Sequence, residues 1–256
     1  MSAHRISIII PARNEAAQIR GTIEAALAAV DELRRAETAA PADARGIDSE
    51  VLVVDNASTD ATVAVIADLA ERRLVRVLEC RRVGAAVARN VGAAHAGGDI
   101  LVFIDADTRV PPHALIRIRE LVEENGYGAG IFRLAAQRPS LRGACWWVFW
   151  NVVRLLPLPR AKALPAFMFC TRRVFVCYGP FDETVAIGEE WPILADLYRF
   201  EPRRLVYDRA LTARTSGRRM EGQAFGYVRT FVKYVAAVLW PSARVNYTDR
   251  IREEMP

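Results

Sequence analysis

Two carboxylates separated by one residue, Asp105 and Asp107, close the apolar run ILVFI at residues 100–104. At the end of a buried strand such a pair repels itself unless a positive charge lies between its members. A divalent cation supplies that charge. Mg2+ or Mn2+ prefers oxygen ligands and leaves positions open for phosphate oxygens, so the pattern points to a metal that neutralises a diphosphate. Polar residues also follow the other apolar runs: Pro11, Arg13, Asn14 and Glu15; then Asp55 and Asn56; then Arg81, Arg82 and Gly84. Ligands of open parallel sheets bind outside the carboxyl ends of the strands, which is where these residues fall. Helix capping accounts for Ser58, Asp60 and Glu15, but not readily for Asp105 with Asp107.

The elements that must position these groups alternate. Ile6–Ile10 is an apolar run but for Ser7, as expected of a strand buried on both faces. A helical pattern follows, with Ile19, Ile23, Leu27 and Val30 on one face. Residues 34–50, broken by Pro41 and Gly46, read as a loop. Val51–Val54 is the second strand, and DNASTD offers Ser58, Thr59 and Asp60 as N-caps for a helix carrying Val63, Ile66 and Leu69. Leu74–Leu78 and Ile100–Ile104 are the third and fourth strands, flanking the helix-like GAAVARNVGAAHAGG. Pro111 and Pro112 open a further helix with Leu115, Ile118, Leu121 and Val122 facing inward. This alternation predicts an α/β fold around a mostly parallel sheet flanked by helices. Beyond it, strands are expected near 130–135 and 167–171, and the remainder reads as helical.

With 256 residues, 52% of them hydrophobic and 25% charged, the chain is expected to be one domain with an elaborated C-terminal half. Disorder and a disulfide scaffold are excluded on the same ground. The net charge of +5 suits a negatively charged partner: a diphosphate, an anionic membrane surface or, on charge alone, nucleic acid. Cys80, Cys145, Cys170 and Cys177 form no C-x-x-C pair, so a reducing, cytoplasmic compartment is expected and a zinc site is not. The first apolar run is too short for a secretory h-region, and no stretch reaches the roughly 20 apolar residues that span a bilayer. Over residues 225–240, Phe225, Val228, Val232, Val235 and Leu239 share a face beside Arg229 and Lys233. Such a basic amphipathic helix suits a membrane interface or packing on the domain.

The series SIIIPARNE, VVDNASTD, GAAVARNVG and FIDADT resembles glycosyltransferase family 2, the inverting enzymes of GT-A fold. Downstream, FDETVAIGEEWPILADL resembles the family's acidic acceptor-side motif, and TSGRRM its C-terminal basic element. The resemblance implies a GT-A domain over 1–220, divided into a nucleotide-sugar half (1–110) and an acceptor half (111–220), with a helical extension over 221–256. It implies that Pro11, Arg13 and Glu15 border the base and ribose, and that Asp55 bonds the base with Val53 alongside. Arg82, Gly84, Arg89, Asp105 and Ala106 then line the nucleotide-sugar, Asp105 and Asp107 hold Mg2+ or Mn2+, and Arg218 or Arg219 meets the diphosphate. Glu190 stands where the family carries its basic Asp, so Glu190 or its neighbour Glu189 is the candidate general base. The implied reaction moves a sugar from a UDP- or GDP-linked donor to an acceptor hydroxyl, lipid-linked or on a polysaccharide precursor. The site of action is the cytoplasm or the inner face of a membrane, and no nucleic acid partner is expected.

Two other readings compete. VFIDADT has the form of the haloacid-dehalogenase phosphatase nucleophile motif, but it lies in mid-chain and no Asp-Asp pair follows it. The departures at Glu190 and at Met220, where some family members have Trp, also allow a non-catalytic member that binds nucleotide-sugar. A dinucleotide fold has little support, because Gly84, Gly92, Gly97 and Gly98 do not form G-x-G-x-x-G.

Overall fold

The computed structural model describes residues 4–38, 49–138, 140–162, 166–185, 188–218, 228, 230–232 and 235. Its elements run β1 (Ile6–Ala12), α1 (Ile19–Thr38), β2 (Ser49–Asp55), α2 (Ala67–Glu71), β3 (Arg76–Glu79), α3 (Ala85–His95) and β4 (Ile100–Ile104). Then follow β5 (Thr108–Arg109), α4 (Ala114–Glu123), β6 (Ala129–Ala136), α5 (Leu141–Val153), β7 (Phe167–Thr171), α6 (Arg172–Tyr178), α7 (Trp191–Phe200) and β8 (Leu205–Thr215).

All eight strands join one sheet in the order β3-β2-β1-β4-β7-β6-β8-β5. The N-terminal half is parallel, β3 to β2 to β1 to β4, with Ile8 opposite Val51 on one side and Val102 on the other. β1, β2 and β4 are mostly apolar because both faces are covered, whereas the edge strand β3 carries the exposed Arg76 and Glu79 at its ends. The one polar residue inside β1, Ser7, is buried and donates to Glu50. Ile6, Ile8 and Ile10 face a core with α1 and α4, while Ile9, Leu52 and Val54 face one with α3. At Gly92 the α3 backbone comes so near β1 that an added Cβ would collide with Ile9 Cγ2. The sheet then turns antiparallel through β7, which pairs with both β4 and β6.

The predicted alternation holds through β4, with shifted ends: α1 continues to Thr38 into the expected loop, and the third strand starts at Arg76. Ser58, Thr59 and Asp60 cap no helix. Asn14 takes hydrogen bonds from Thr59 and gives its N–H to Ser58 Oγ, while Asp60 accepts from the N–H of Ala16, so these residues tie the β1 and β2 turns together. The reading of the C-terminal half as helical fails at β8, an eleven-residue strand parallel to β6 with a register shift between Phe132 and Arg133. Its bulge is held by Asp208, buried and ion-paired with Arg117 at 2.7 Å, which accepts the N–H of Ala210. The basic helix expected over 225–240, like the 221–256 extension as a whole, lies mostly outside the described residues. No helix among the described residues is long and apolar enough to cross a membrane.

Candidate active site

The parallel strands end together, and each contributes a polar turn. After β1 the chain passes through Asn14 at φ 53°, and Glu15 is buried with its N–H donated to Thr62 Oγ1. Pro11 and Arg13 flank this turn, half-buried. Asp55 ends β2 half-exposed and accepts the N–H of Ser58 at 3.3 Å. Val53 is in the core, so its side chain can only support the turn from beneath. Asn56, buried, fixes the turn after β3: its amide donates to the Arg82 carbonyl at 2.8 Å and accepts the Gly84 N–H at 2.7 Å. Gly84 starts α3 at φ 157°, where a side chain is strained.

β4 delivers Asp105 and Asp107, both half-exposed on either side of the buried Ala106. Arg89 lies on the inner face of α3, with its guanidinium forked between two acids. Nη2 donates to Asp105 Oδ1 at 2.6 Å and Nη1 to Glu189 Oε1 at 2.7 Å. Burial opposes its charge, but Asp105 and Glu189 hold its pKa well above the ordinary arginine value. One guanidinium therefore joins the strand-end carboxylate of Asp105 to Glu189, 100 residues on from Arg89. The next residue, Asn90, clamps the near end of that segment: its amide donates to the Phe181 carbonyl at 3.0 Å and to Glu183, and accepts the Phe181 N–H at 2.9 Å. Arg82 also pairs with Glu183.

The two adjacent glutamates part ways. Glu189 faces Arg89. Glu190, at the N-terminus of α7 and 4% exposed, lies within the field of Arg154, itself 1% exposed at the end of α5. Burial pushes the Arg154 guanidinium down to about 10, with Tyr207 and Glu190 pulling the other way. Asn151 accepts from both Arg154 and Tyr207, so the end of α5 is tied to β8. Arg160 lies over the Trp191 ring at 4.8 Å.

The chain returns to the ends of the parallel strands at the end of β8. Thr215 pairs with Thr108, its hydroxyl lies 3.4 Å from Asp107 Oδ1, and the Ser216 N–H donates to the Asp107 carbonyl. Arg218 then reaches Glu15 Oε2 at 2.7 Å. Arg219 and Met220 lie outside the described residues. Asn90 and Arg154 were not singled out by the sequence.

A hard divalent cation fits this donor set. Asp105 and Asp107 offer oxygen ligands at a solvent-facing edge, and Arg89 engages one Asp105 oxygen, leaving the other. No group of three or more His, Cys, Asp or Glu forms among the described residues. A cation there would thus take most of its ligands from phosphate and water, the habit of Mg2+ and Mn2+.

The profile of Glycosyl transferase family 2 matches residues 7–145. The undecaprenyl-phosphate 4-deoxy-4-formamido-L-arabinose transferase of Enterobacter sp. (strain 638) is 34% identical over 127 residues, 48% of this chain and 35% of that protein. The succinoglycan biosynthesis protein ExoO of Rhizobium meliloti is 29% identical over 208 residues, 74% of this chain and 54% of that protein. The chain thus spans between a third and just over half of the length of these curated relatives. Among solved structures, the mannosyltransferase PcManGT of Pyrobaculum calidifontis, in complex with GDP-Man and Mn2+, aligns with a TM-score of 0.59 at 20% identity, over 100% of this chain and 66% of that one. Glucosyl-3-phosphoglycerate synthase of Mycobacterium tuberculosis, with Mn2+, UDP and glucosyl-3-phosphoglycerate, gives 0.59 at 19% identity, over 92% and 80%. The fold is GT-A.

Proposed function

Because the chain belongs to glycosyl transferase family 2, we propose that it is a metal-dependent inverting glycosyltransferase, moving a sugar from a UDP- or GDP-linked donor to an acceptor hydroxyl. The observation that carries the reading is the Arg89 fork, which holds a donor-side and an acceptor-side acid at 2.6 and 2.7 Å from one guanidinium. A cation site and an acceptor-side carboxylate have to be held in fixed register for a displacement between two substrates, and this clamp does so.

In the proposed reaction Pro11, Arg13, Glu15 and Asp55 take the nucleoside, with Val53 behind them, and Arg82, Gly84, Arg89 and Ala106 border the sugar-diphosphate. Asp105 and Asp107 would hold Mg2+ or Mn2+, which when bound neutralises charge on the diphosphate. Glu190 removes the acceptor hydroxyl proton. The hydroxyl oxygen bonds to the anomeric carbon as the bond from that carbon to the diphosphate oxygen breaks on the opposite face, inverting the centre. Arg218 and Arg219 balance charge on the departing nucleoside diphosphate. Glu189, already engaged by Arg89, serves as the anchor of the acceptor segment. Residues 1–220 form the catalytic domain, acting in the cytoplasm or peripherally at the inner face of a membrane on a lipid-linked or polysaccharide-precursor acceptor.

The test is a thermal-shift panel of UDP- and GDP-sugars with Mn2+ or with chelator, followed by donor hydrolysis and transfer assays. A metal-dependent upward shift with turnover of the same donor is expected. Binding without hydrolysis or transfer to any acceptor would leave a non-catalytic nucleotide-sugar-binding protein.

A further inference from the structure

Helix α5 is apolar on both sides, yet only one side is covered. Gly143, Trp146, Trp150 and Arg154 form its buried stripe. The opposite stripe, at helical spacing, is Leu141, Cys145, Val148, Val152 and Leu155, with Leu141 81%, Val148 59%, Val152 56% and Leu155 53% exposed. A helix facing water normally carries polar residues there, and one apolar all round is normally enclosed. The surface extends through Leu156 and Leu158 in the following turn. On its flank Phe231 lies edge-on to Phe149 at 5.0 Å, adding the exposed Val228 and Val232.

We propose that this face of α5, with the Leu155–Leu158 turn, docks on an anionic phospholipid bilayer and lies within its interface. Charge selects that partner. Between Glu124 and Asp182 the sequence has no Asp or Glu, while exposed Arg133, Arg138 and Arg142 and half-exposed Arg160 lie in the same stretch. An exposed apolar face in a stretch whose charges are all basic matches acyl chains beneath anionic headgroups. The 13 residues of α5 are too few to cross the roughly 30 Å hydrocarbon layer, so the helix lies flat. The surface also leads to the site. Arg154, at the end of α5, acts on Glu190, and Arg160, in the 3₁₀ turn Pro159–Lys162, covers Trp191. A docked helix therefore brings the acceptor end of the site to the bilayer. The inference rests on the peripheral-membrane reading above and names the surface responsible.

The test is flotation of the full chain, without nucleotide-sugar, with vesicles of phosphatidylcholine alone or mixed equally with phosphatidylglycerol. Wild type should float with the mixed vesicles, and added salt should weaken binding. Val148→Glu combined with Val152→Glu should reduce binding at least about tenfold, while Val176→Glu on α6 should leave it unchanged. Should the double variant misfold, a second measurement applies: in Cys177→Ser protein, a polarity-sensitive fluorophore on Cys145 should shift to the blue with mixed vesicles. Wild type that stays unbound, a double variant that binds like wild type, or a fluorophore that does not shift would each overturn the proposal. So would light scattering that shows a dimer dissolved by the double substitution, since the face would then cover a second copy. Donor-induced thermal shifts in lipid-free buffer separate the readings: donor binding without flotation sinks the surface alone, and flotation without donor binding sinks the transferase alone.

Discussion

Arg89 donates to Glu189 across 100 residues of sequence while its other terminal nitrogen holds Asp105. Removing this guanidinium leaves two acids facing each other around a vacated charge. Loss of one partner from a fully buried pair costs about 3–5 kcal/mol; Asp105 is partly exposed, so Arg89→Ala should cost roughly 2–3 kcal/mol. Turnover should fall more than stability predicts, on the order of 100-fold, because the two substrates' binding halves lose their register. Arg89→Lys, with charge but no fork, should recover stability better than turnover. Urea unfolding and initial rates check both; equal rates in the three proteins would remove Arg89 from the mechanism.

The parting of Glu189 and Glu190 separates their expected phenotypes. Glu190→Gln should lower transfer by about 100- to 10,000-fold while calorimetry finds donor affinity unchanged. Glu189→Gln should weaken the Arg89 fork, so its effect should track that of Arg89→Ala. Near-normal turnover in Glu190→Gln would move the base to Glu189.

The strand-end half of this arrangement was legible in the sequence because β1, β2 and β4 are mostly buried on both faces and read as apolar runs, interrupted in β1 only by Ser7. Their polar residues then had to fall at the strand ends. β8 was not legible: Asp208, Arg209, Thr212 and Arg214 interrupt any alternation, and the strand is fixed by pairing with β6 rather than by its own pattern. Asn90 and Arg154 escaped for a related reason. The partners of Asn90 at Phe181 lie 91 residues away, and Arg154 is buried by the packing of α5 near β8 and α7, which no local spacing encodes. The acidic pair at 189–190 was found, but its division between Arg89 and Arg154 needed the structure.

Metal dependence should follow the two strand-end acids. Asp107→Asn should abolish the Mn2+-dependent part of donor affinity and leave the chelator-insensitive part intact. Asp105→Asn should do the same and also loosen Arg89, lowering the unfolding midpoint as Asp107→Asn does not. Calorimetric titrations of a UDP-sugar with Mn2+ and with chelator measure this. Donor affinity indifferent to chelator and to both substitutions would refute the cation site.

The four free thiols should divide by burial. Burial pushes the Cys80 and Cys170 thiols up, opposed at Cys80 by the Asn56 amide and at Cys170 by Arg172, whereas Cys145 and Cys177 are exposed. Iodoacetamide should modify Cys145 and Cys177 first. A thiol whose folded pKa is raised keeps a proton that the unfolded chain releases above the ordinary value of 9.0. Its stabilisation is present below that pH and is lost as pH rises past it. Urea midpoints at about pH 8 and about pH 10 should therefore fall, and the fall should shrink in Cys170→Ala.

Arg218 meets Glu15 at 2.7 Å, joining the end of β8 to the first turn of the sheet, where the nucleotide is proposed to lie. The arginine is partly exposed, so Arg218→Ala should change stability by no more than about 1 kcal/mol. Its effect should instead appear in donor binding, as a rise in donor KM of about 10-fold or more from a lost charge-assisted contact with phosphate. That rise should shrink as ionic strength increases, because screening weakens the wild-type contact as well. Steady-state kinetics at low and high salt would read it, and a KM unchanged at low salt would leave Arg218 with a purely structural tie to Glu15.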